Sequence, residues 1–219
     1  MYWYRPTCGL GRSSVVGTTA RRAEVPAHLL ADEHHQSLDG REAYIATTVG
    51  DGCVLGAEPA ASAGTAELAA AYGVFKAEAR DVEPEYAPRT VSVDGRASTH
   101  QAQLASFPLV VLLRCSLHGR LNIRSRGKLS ESFRELSRRA WESYHAPSRR
   151  AFAQRLRRLR ERARGRGTSA WLLEQVEKLC GRSLEYAAAY SHPGCHRTSN
   201  MLDLTCPQES GPSYLRIRI

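Results

Sequence analysis

The residue pattern predicts an α/β fold: a mixed β-sheet in the first half of the chain, followed by an all-α block. Three observations lead there. Short apolar runs rich in β-branched residues, bounded by Gly, Pro and Asp, crowd residues 28–114. Two stretches with helical spacing, one from Thr65 and one over Ser98–Ser106, separate the later runs. From about Phe133 onward only helical periodicity is found. The element order is βββαβαβ, then helices.

Residues 1–26 show no periodicity and are expected to be an irregular lead-in. His28–Ala31 reads as a strand leading into Asp32. Asp39-Gly40 is a hairpin-type turn before the next strand, Ala43–Val49. Gly50-Asp51-Gly52 is a second such turn before Cys53–Ala57. Three antiparallel strands are the economical reading. Thr65 is a plausible N-cap for a helix whose Leu68, Tyr72, Phe75 and Ala79 share one face, and Pro84 and Pro88 end it. Thr90–Val93 is the fourth strand, Ser98–Ser106 a short helix, and Leu109–Arg114 the fifth strand, with Pro108 before it. Both of these strands are apolar on consecutive residues, as expected where a sheet is covered on two faces.

After His118 the character changes. Phe133, Leu136, Ala140 and Tyr144 mark one helical face, and Phe152, Leu156, Leu159 and Ala163 another. Leu172, Val176, Leu179 and Leu184 mark a third, despite Gly181. The segment SHPGCHRTSNMLD breaks and restarts structure, with Ser199 or Asn200 as a cap before Asp203. Pro207, Gly211 and Pro212 then exclude a continuing helix. The expected organisation is an irregular lead-in (1–26), an α/β core (27–118), a basic all-α insertion (119–192), a segment carrying a third acid (193–206) and an irregular tail (207–219).

Apolar residues make up 42% of 219, enough for a packed core. The longest apolar run is about seven residues, far short of the ~20 that span a bilayer, and no secretory leader is apparent. A soluble, cytoplasmic protein without membrane contact is expected. The six cysteines are scattered and read as free thiols. Net charge is +9, but residues 119–166 alone hold 16 Arg or Lys against 4 Glu, so the remainder is slightly acidic. Positive charge confined to one segment points to a polyanionic partner there, although arginine-rich helices are also common as solvated faces.

Asp32 and Asp94 each follow a predicted strand, and carboxylates from two neighbouring strands can converge on a metal ion. Asp94 precedes Gly95, so a simple turn aspartate is the alternative. The second apolar run, to Leu113, leads into a Cys-x-x-His pair, Cys115 and His118. At HLLADEH, VSVDG, RCSLH and HRTSNMLD the chain resembles the DDE/D transposases of bacterial insertion sequences, and among them the Mutator-like type. In that type the second acid is followed by a Cys-x2-His pair, and the third lies in an arginine-Thr/Ser-Asn segment. The resemblance covers roughly residues 27–203 and implies a ribonuclease-H-like core. It also implies a catalytic and metal-binding triad of Asp32, Asp94 and Asp203, with Mg²⁺ or Mn²⁺ as cofactor and Asp32 as the residue bridging two ions. The implied activity is DNA cleavage and strand transfer, the implied partners are transposon ends and target DNA, and homo-oligomers are common in the family.

Two departures from the family stand out. The third acid is commonly glutamate on a long continuing helix, whereas here it is Asp203 before a divergent tail. Only about thirty irregular residues precede Asp32, where a DNA-binding module is usual. A truncated or frameshifted copy is therefore expected, with a catalytically inactive DNA-binding remnant as the alternative. Arg124, Arg126, Lys128, Arg149, Arg150, Arg155, Arg157 and Arg158 are the candidate phosphate contacts. Cys115 and His118 read as structural, the cysteine packed in the core and the histidine orienting a carboxylate or meeting DNA. A zinc site completed by Cys195 with His196 or His192 is the competing possibility. Glu33 and Asp51 are nearby acids that read as surface residues or as residues just behind the metal ligands.

Overall fold

A computed structural model describes residues 24–38, 41–116, 118, 131–165 and 167–197. Contacts divide the chain into two units at Leu112/Leu113. Asp203, Arg124, Arg126 and Lys128 lie outside the described residues, as do the Asp39-Gly40 turn and the expected cap at Ser199 or Asn200.

The first unit is built on β1 (His28–Leu38), β2 (Arg41–Gly50) and β3 (Cys53–Ala60), an antiparallel meander. The β2–β3 turn places Asp51 at φ +48° and Gly52 at φ +76°, with Gly50 paired to Cys53. Two left-handed residues in a two-residue loop match the twist of the flanking strands. α1 (Thr65–Val82) then crosses over, and β4 (Thr90–Val93) returns parallel to β1 in the register His28 to Thr90 and Leu30 to Ser92. The His28 Nδ1 to Thr90 Oγ1 contact, 2.9 Å, joins side chains across the same pairing. α2 (Ala97–Ser106) leads to β5 (Val111–Arg114). The five-stranded mixed sheet has the order β3-β2-β1-β4-β5, so β1 is central.

Leu68, Tyr72, Phe75 and Ala79 are all buried on the sheet, as their spacing predicts, against Leu29, Ala31, Val91 and Val93. Each fully buried large apolar side chain contributes about 1.5–3 kcal/mol. Phe75, Tyr86 and Phe107 meet edge to face at 6.0–6.4 Å between centroids. The Tyr86 hydroxyl donates to the Pro26 carbonyl at 2.6 Å, so this buried phenol meets its hydrogen-bonding requirement. Pro84 disfavours a helical conformation at Glu83, whose φ is −135°, and α1 ends at Val82.

Several expected boundaries move. β1 continues to Leu38 because β2 pairs with it along its whole length, so Asp32 lies inside a strand rather than at its end. Its polar second half carries no apolar signal. Gly64, not Thr65, is the N-cap of α1, and the Thr65 hydroxyl instead donates to Gln101 of α2 at 2.9 Å. β5 starts at Val111 because a turn closed by Val110 N–H to the Phe107 carbonyl takes up Pro108 and Leu109. Leu109 is left 95% exposed.

The second unit is helical: α3 (Glu131–Tyr144), α4 (Arg149–Ala163), α5 (Ala170–Gly181), α6 (Ser183–Ala187) and a 3₁₀ turn (Ala188–Ser191). Phe133, Leu136 and Ala140 pack with Phe152, Leu156, Leu159 and Ala163, and with Leu172 and Val176. Ser148 and Ser169 cap α4 and α5, accepting from the Ala151 and Leu172 amides at 3.2 and 3.3 Å. The expected face through Leu184 does not continue. α5 stops at Gly181, a poor helix former, Leu184 is 73% exposed, and Tyr186 fills the core instead. Among the described residues no helix is long and apolar enough to cross a membrane.

A methyl group added at Gly50 would lie 2.9 Å from both Leu55 Cδ1 and Pro26 Cβ. Gly50→Ala is expected to cost about 1–3 kcal/mol. Equilibrium urea unfolding checks this, and an unchanged midpoint would show that these neighbours yield freely.

Candidate metal centre

Carrying the β1–β4 register two residues beyond Leu30 and Ser92 sets Asp32 abreast of Asp94. Their carboxylates each present an oxygen within 4.8 Å of the other's. Side chains alternate across a strand, and the direction is fixed by the neighbours. Leu29 and Ala31 belong to the core under α1, and Glu33 bonds to α1 and α2, so these three face the helices. Leu30 and Asp32 therefore face the other side of the sheet. There Leu30, Val49 and Ser92 are all buried, so the strands leading to the two acids lie in a dry sheet interior.

The two acids are held differently. Asp32 Oδ1 accepts from the Glu33 amide at 3.1 Å. Asp94 Oδ1 accepts from the Arg96 amide at 2.8 Å, an Asx-type turn made possible by Gly95 at φ +101°. Its Oδ2 lies 3.3 Å from Arg96 Nε. Asp94 is therefore a turn aspartate whose carboxylate also lies close to that of Asp32. Arg96, which the sequence reading does not single out, is half-exposed and partly balances the local negative charge. The only signal for it is its position two residues after Asp94.

Glu33, for which the sequence leaves open a surface position or one behind the metal ligands, is half-buried. Its Oε1 accepts from the Tyr72 hydroxyl at 2.6 Å and its Oε2 from the Thr99 hydroxyl at 2.8 Å. Burial pushes its pKa up, the two hydroxyl bonds pull it down, and the Asp94 and Asp32 charges push it up again. Burial raises the Tyr72 phenol well above its ordinary range, reinforced by the Glu33, Asp32 and Asp94 charges. Tyr72 therefore stays a donor. Asp51 sits exposed in the β2–β3 turn, away from this group.

The donor chemistry fits a hard divalent cation. Mg²⁺ takes oxygen ligands, and carboxylate oxygens within 4.8 Å of each other are close enough for Asp32 and Asp94 to share one ion.

The second unit holds Cys115 buried and His118 half-buried. Among the described residues no group of three metal-ligating side chains contains a cysteine, so the proposed zinc set is not assembled. Burial also raises the Cys195 thiol, opposing the thiolate that zinc requires, and its Sγ contacts the Ala189 carbonyl at 3.5 Å. Among the described residues Cys53, Cys115, Cys180 and Cys195 form no disulfide.

The arginines of this unit fall into two populations. Glu135 on α3 takes Arg139 from its own helix and Arg162 from α4, at 2.9 and 2.7 Å. Glu177 on α5 takes Arg160 and Arg164, at 2.6 and 2.7 Å. These forks fasten helix to helix. Of the predicted phosphate contacts, Arg157 pairs with Glu161 one turn on, and Arg155 donates to the Glu142 carbonyl. Arg149, Arg150 and Arg158 are exposed and make no ion pair among the described residues. Comparison of the chain with protein-family models gave no matching family, and comparison with curated proteins gave no match.

Arg162 and Arg139 hold Glu135 below the usual carboxylate range, and Arg160 and Arg164 do the same for Glu177. A depressed folded-state pKa stabilises above the unfolded value and is lost as pH falls through the folded one. The melting temperature is therefore expected to drop below about pH 4. A Glu135→Gln, Glu177→Gln double variant should lose part of that dependence. Trp141 and Trp171, both in this unit, supply the fluorescence signal.

Proposed function

We propose that the first unit is a ribonuclease-H-like core of the DDE/D transposase type, and that the chain carries out or derives from metal-dependent DNA cleavage and strand transfer. The observation that carries this reading is the meeting of Asp32 and Asp94 from the central strand and its parallel neighbour. Two acids about sixty residues apart in sequence are brought together on one face of a mixed sheet. Together they offer hard anionic oxygens of the kind a divalent cation takes.

Asp32 and Asp94 would hold Mg²⁺ or Mn²⁺ through hard anionic oxygens, with Asp203 as the third ligand that the family resemblance implies. A divalent ion bound there supplies a Lewis acid for phosphodiester cleavage and for attack by a DNA 3′-hydroxyl. Asp94, tied to the Arg96 amide, keeps its carboxylate oriented. The partly exposed Arg96 guanidinium would meet a DNA phosphate at the rim of the site.

A specific observation also favours the second reading, a DNA-binding remnant without catalysis. Arg149 and Arg150 occupy the first turn of α4, where the helix dipole disfavours cations by about 0.3–1 kcal/mol. Helix stability does not account for them there, and a polyanion contact does. This property does not depend on the acid pair.

A nicking assay on supercoiled DNA with Mg²⁺ or Mn²⁺ tests the first reading. Asp32→Asn and Asp94→Asn should each lower the rate by about 10²-fold or more. Cleavage that survives both substitutions, or that needs no divalent ion, rejects it. For DNA binding, the slope of log affinity against log salt should shrink by about 2–3 in an Arg149→Ala, Arg150→Ala, Arg158→Ala variant. An unchanged slope removes those arginines from the interface.

A further inference from the structure

The Glu33 carboxylate joins three elements at once. β1 carries it, and one oxygen takes the Tyr72 hydroxyl of α1 while the other takes the Thr99 hydroxyl of α2. Tyr72 and Thr99 are 1% and 0% exposed, so the donors of both bonds are shielded from solvent, while Glu33 is half-buried. Each end of this junction leads to one of the paired acids. Glu33 is the residue after Asp32, and its backbone amide donates to the Asp32 carboxylate. Thr99 lies in the first turn of α2, whose N-cap is Arg96, and the Arg96 amide is held by Asp94. The chain from Asp32 to Asp94 thus runs through Glu33, the Thr99 hydroxyl and the α2 N-terminus, all by hydrogen bonds or short covalent links.

We infer that Glu33 is a positioning residue: it locks α2 to β1 so that Asp94 is held at ion-sharing distance from Asp32. The inference rests on the metal-centre reading above and adds to it a residue on the opposite face of the sheet. A half-buried carboxylate here is costly unless both oxygens are bonded, and apolar residues at 33, 72 and 99 together would fill the same space without that cost. Simple packing therefore does not explain an acid at position 33. Fixing a ligand's orientation does, since partners that orient ligands typically change metal affinity about 10–100-fold when removed.

Glutamine at this position offers an acceptor to one hydroxyl and a donor to the other, so Glu33→Gln preserves the lock without the charge. The experiment is Mn²⁺ titration of the full chain, read by electron paramagnetic resonance of the free ion, with circular dichroism confirming the fold of each variant. Expected are Mn²⁺ binding by the wild type, weakening of about 10-fold or more in Glu33→Ala, and recovery to within about threefold of wild type in Glu33→Gln. If Glu33→Ala does not fold, the Tyr72→Phe, Thr99→Val double variant, which removes only the two hydroxyls, takes its place with the same expected loss. Wild-type affinity in the variant lacking the bonds overturns the positioning role and leaves the metal centre standing. A Glu33→Gln protein as weak as Glu33→Ala also overturns it, because charge rather than the lock would then matter. No Mn²⁺ binding by the wild type, or binding unaffected by Asp32→Asn and Asp94→Asn, ends the metal-centre reading and this inference together.

Discussion

Everything proposed for the first unit depends on one backbone pairing, the parallel alignment of β1 with β4. Shifting β4 by one residue would turn Asp94 to the helix side of the sheet and leave Asp32 without a partner. The register is held from several directions. Val91 and Val93 are needed in the core beneath α1, His28 meets Thr90 at the start of the pair, and α1 joins the meander to β4. Packing on one face of the sheet thereby sets the chemistry available on the other.

Much of this was legible in the sequence because apolar periodicity reports burial. The α1 face at Leu68, Tyr72, Phe75 and Ala79, and the α4 face at Phe152, Leu156, Leu159 and Ala163, lie where their spacing puts them. β4 is buried on all four residues, as expected for a strand covered on both faces, although Thr90 and Ser92 are polar. The second half of β1 was not legible. Glu33 through Leu38 is mostly polar, and only pairing with β2 keeps it extended. The α5–α6 break was missed for the converse reason: Leu184 continues the helical spacing, but Gly181 ends the helix before it.

The site shows the same division. Asp32 and Asp94 could be singled out because a carboxylate after an apolar run is conspicuous. Glu33 could be named as a nearby acid but not given its contacts, which reach residues 39 and 66 positions away. No local pattern marks a hydroxyl on each of two helices as partners of one acid. Arg96 is similarly silent, because an arginine at the start of a helix has many uses.

The sorting of arginines in the helical unit bears on which of them lysine can replace. Glu135 and Glu177 each receive two guanidinium groups, a planar geometry that an ammonium on a flexible stem does not reproduce. Arg149, Arg150 and Arg158 face water, where either side chain presents the same unit of charge. Sequence drift between the two basic amino acids is therefore restricted at positions 139, 160, 162 and 164 and nearly free at the outward ones. A segment that looks uniformly arginine-rich thus carries two unequal tolerances for exchange.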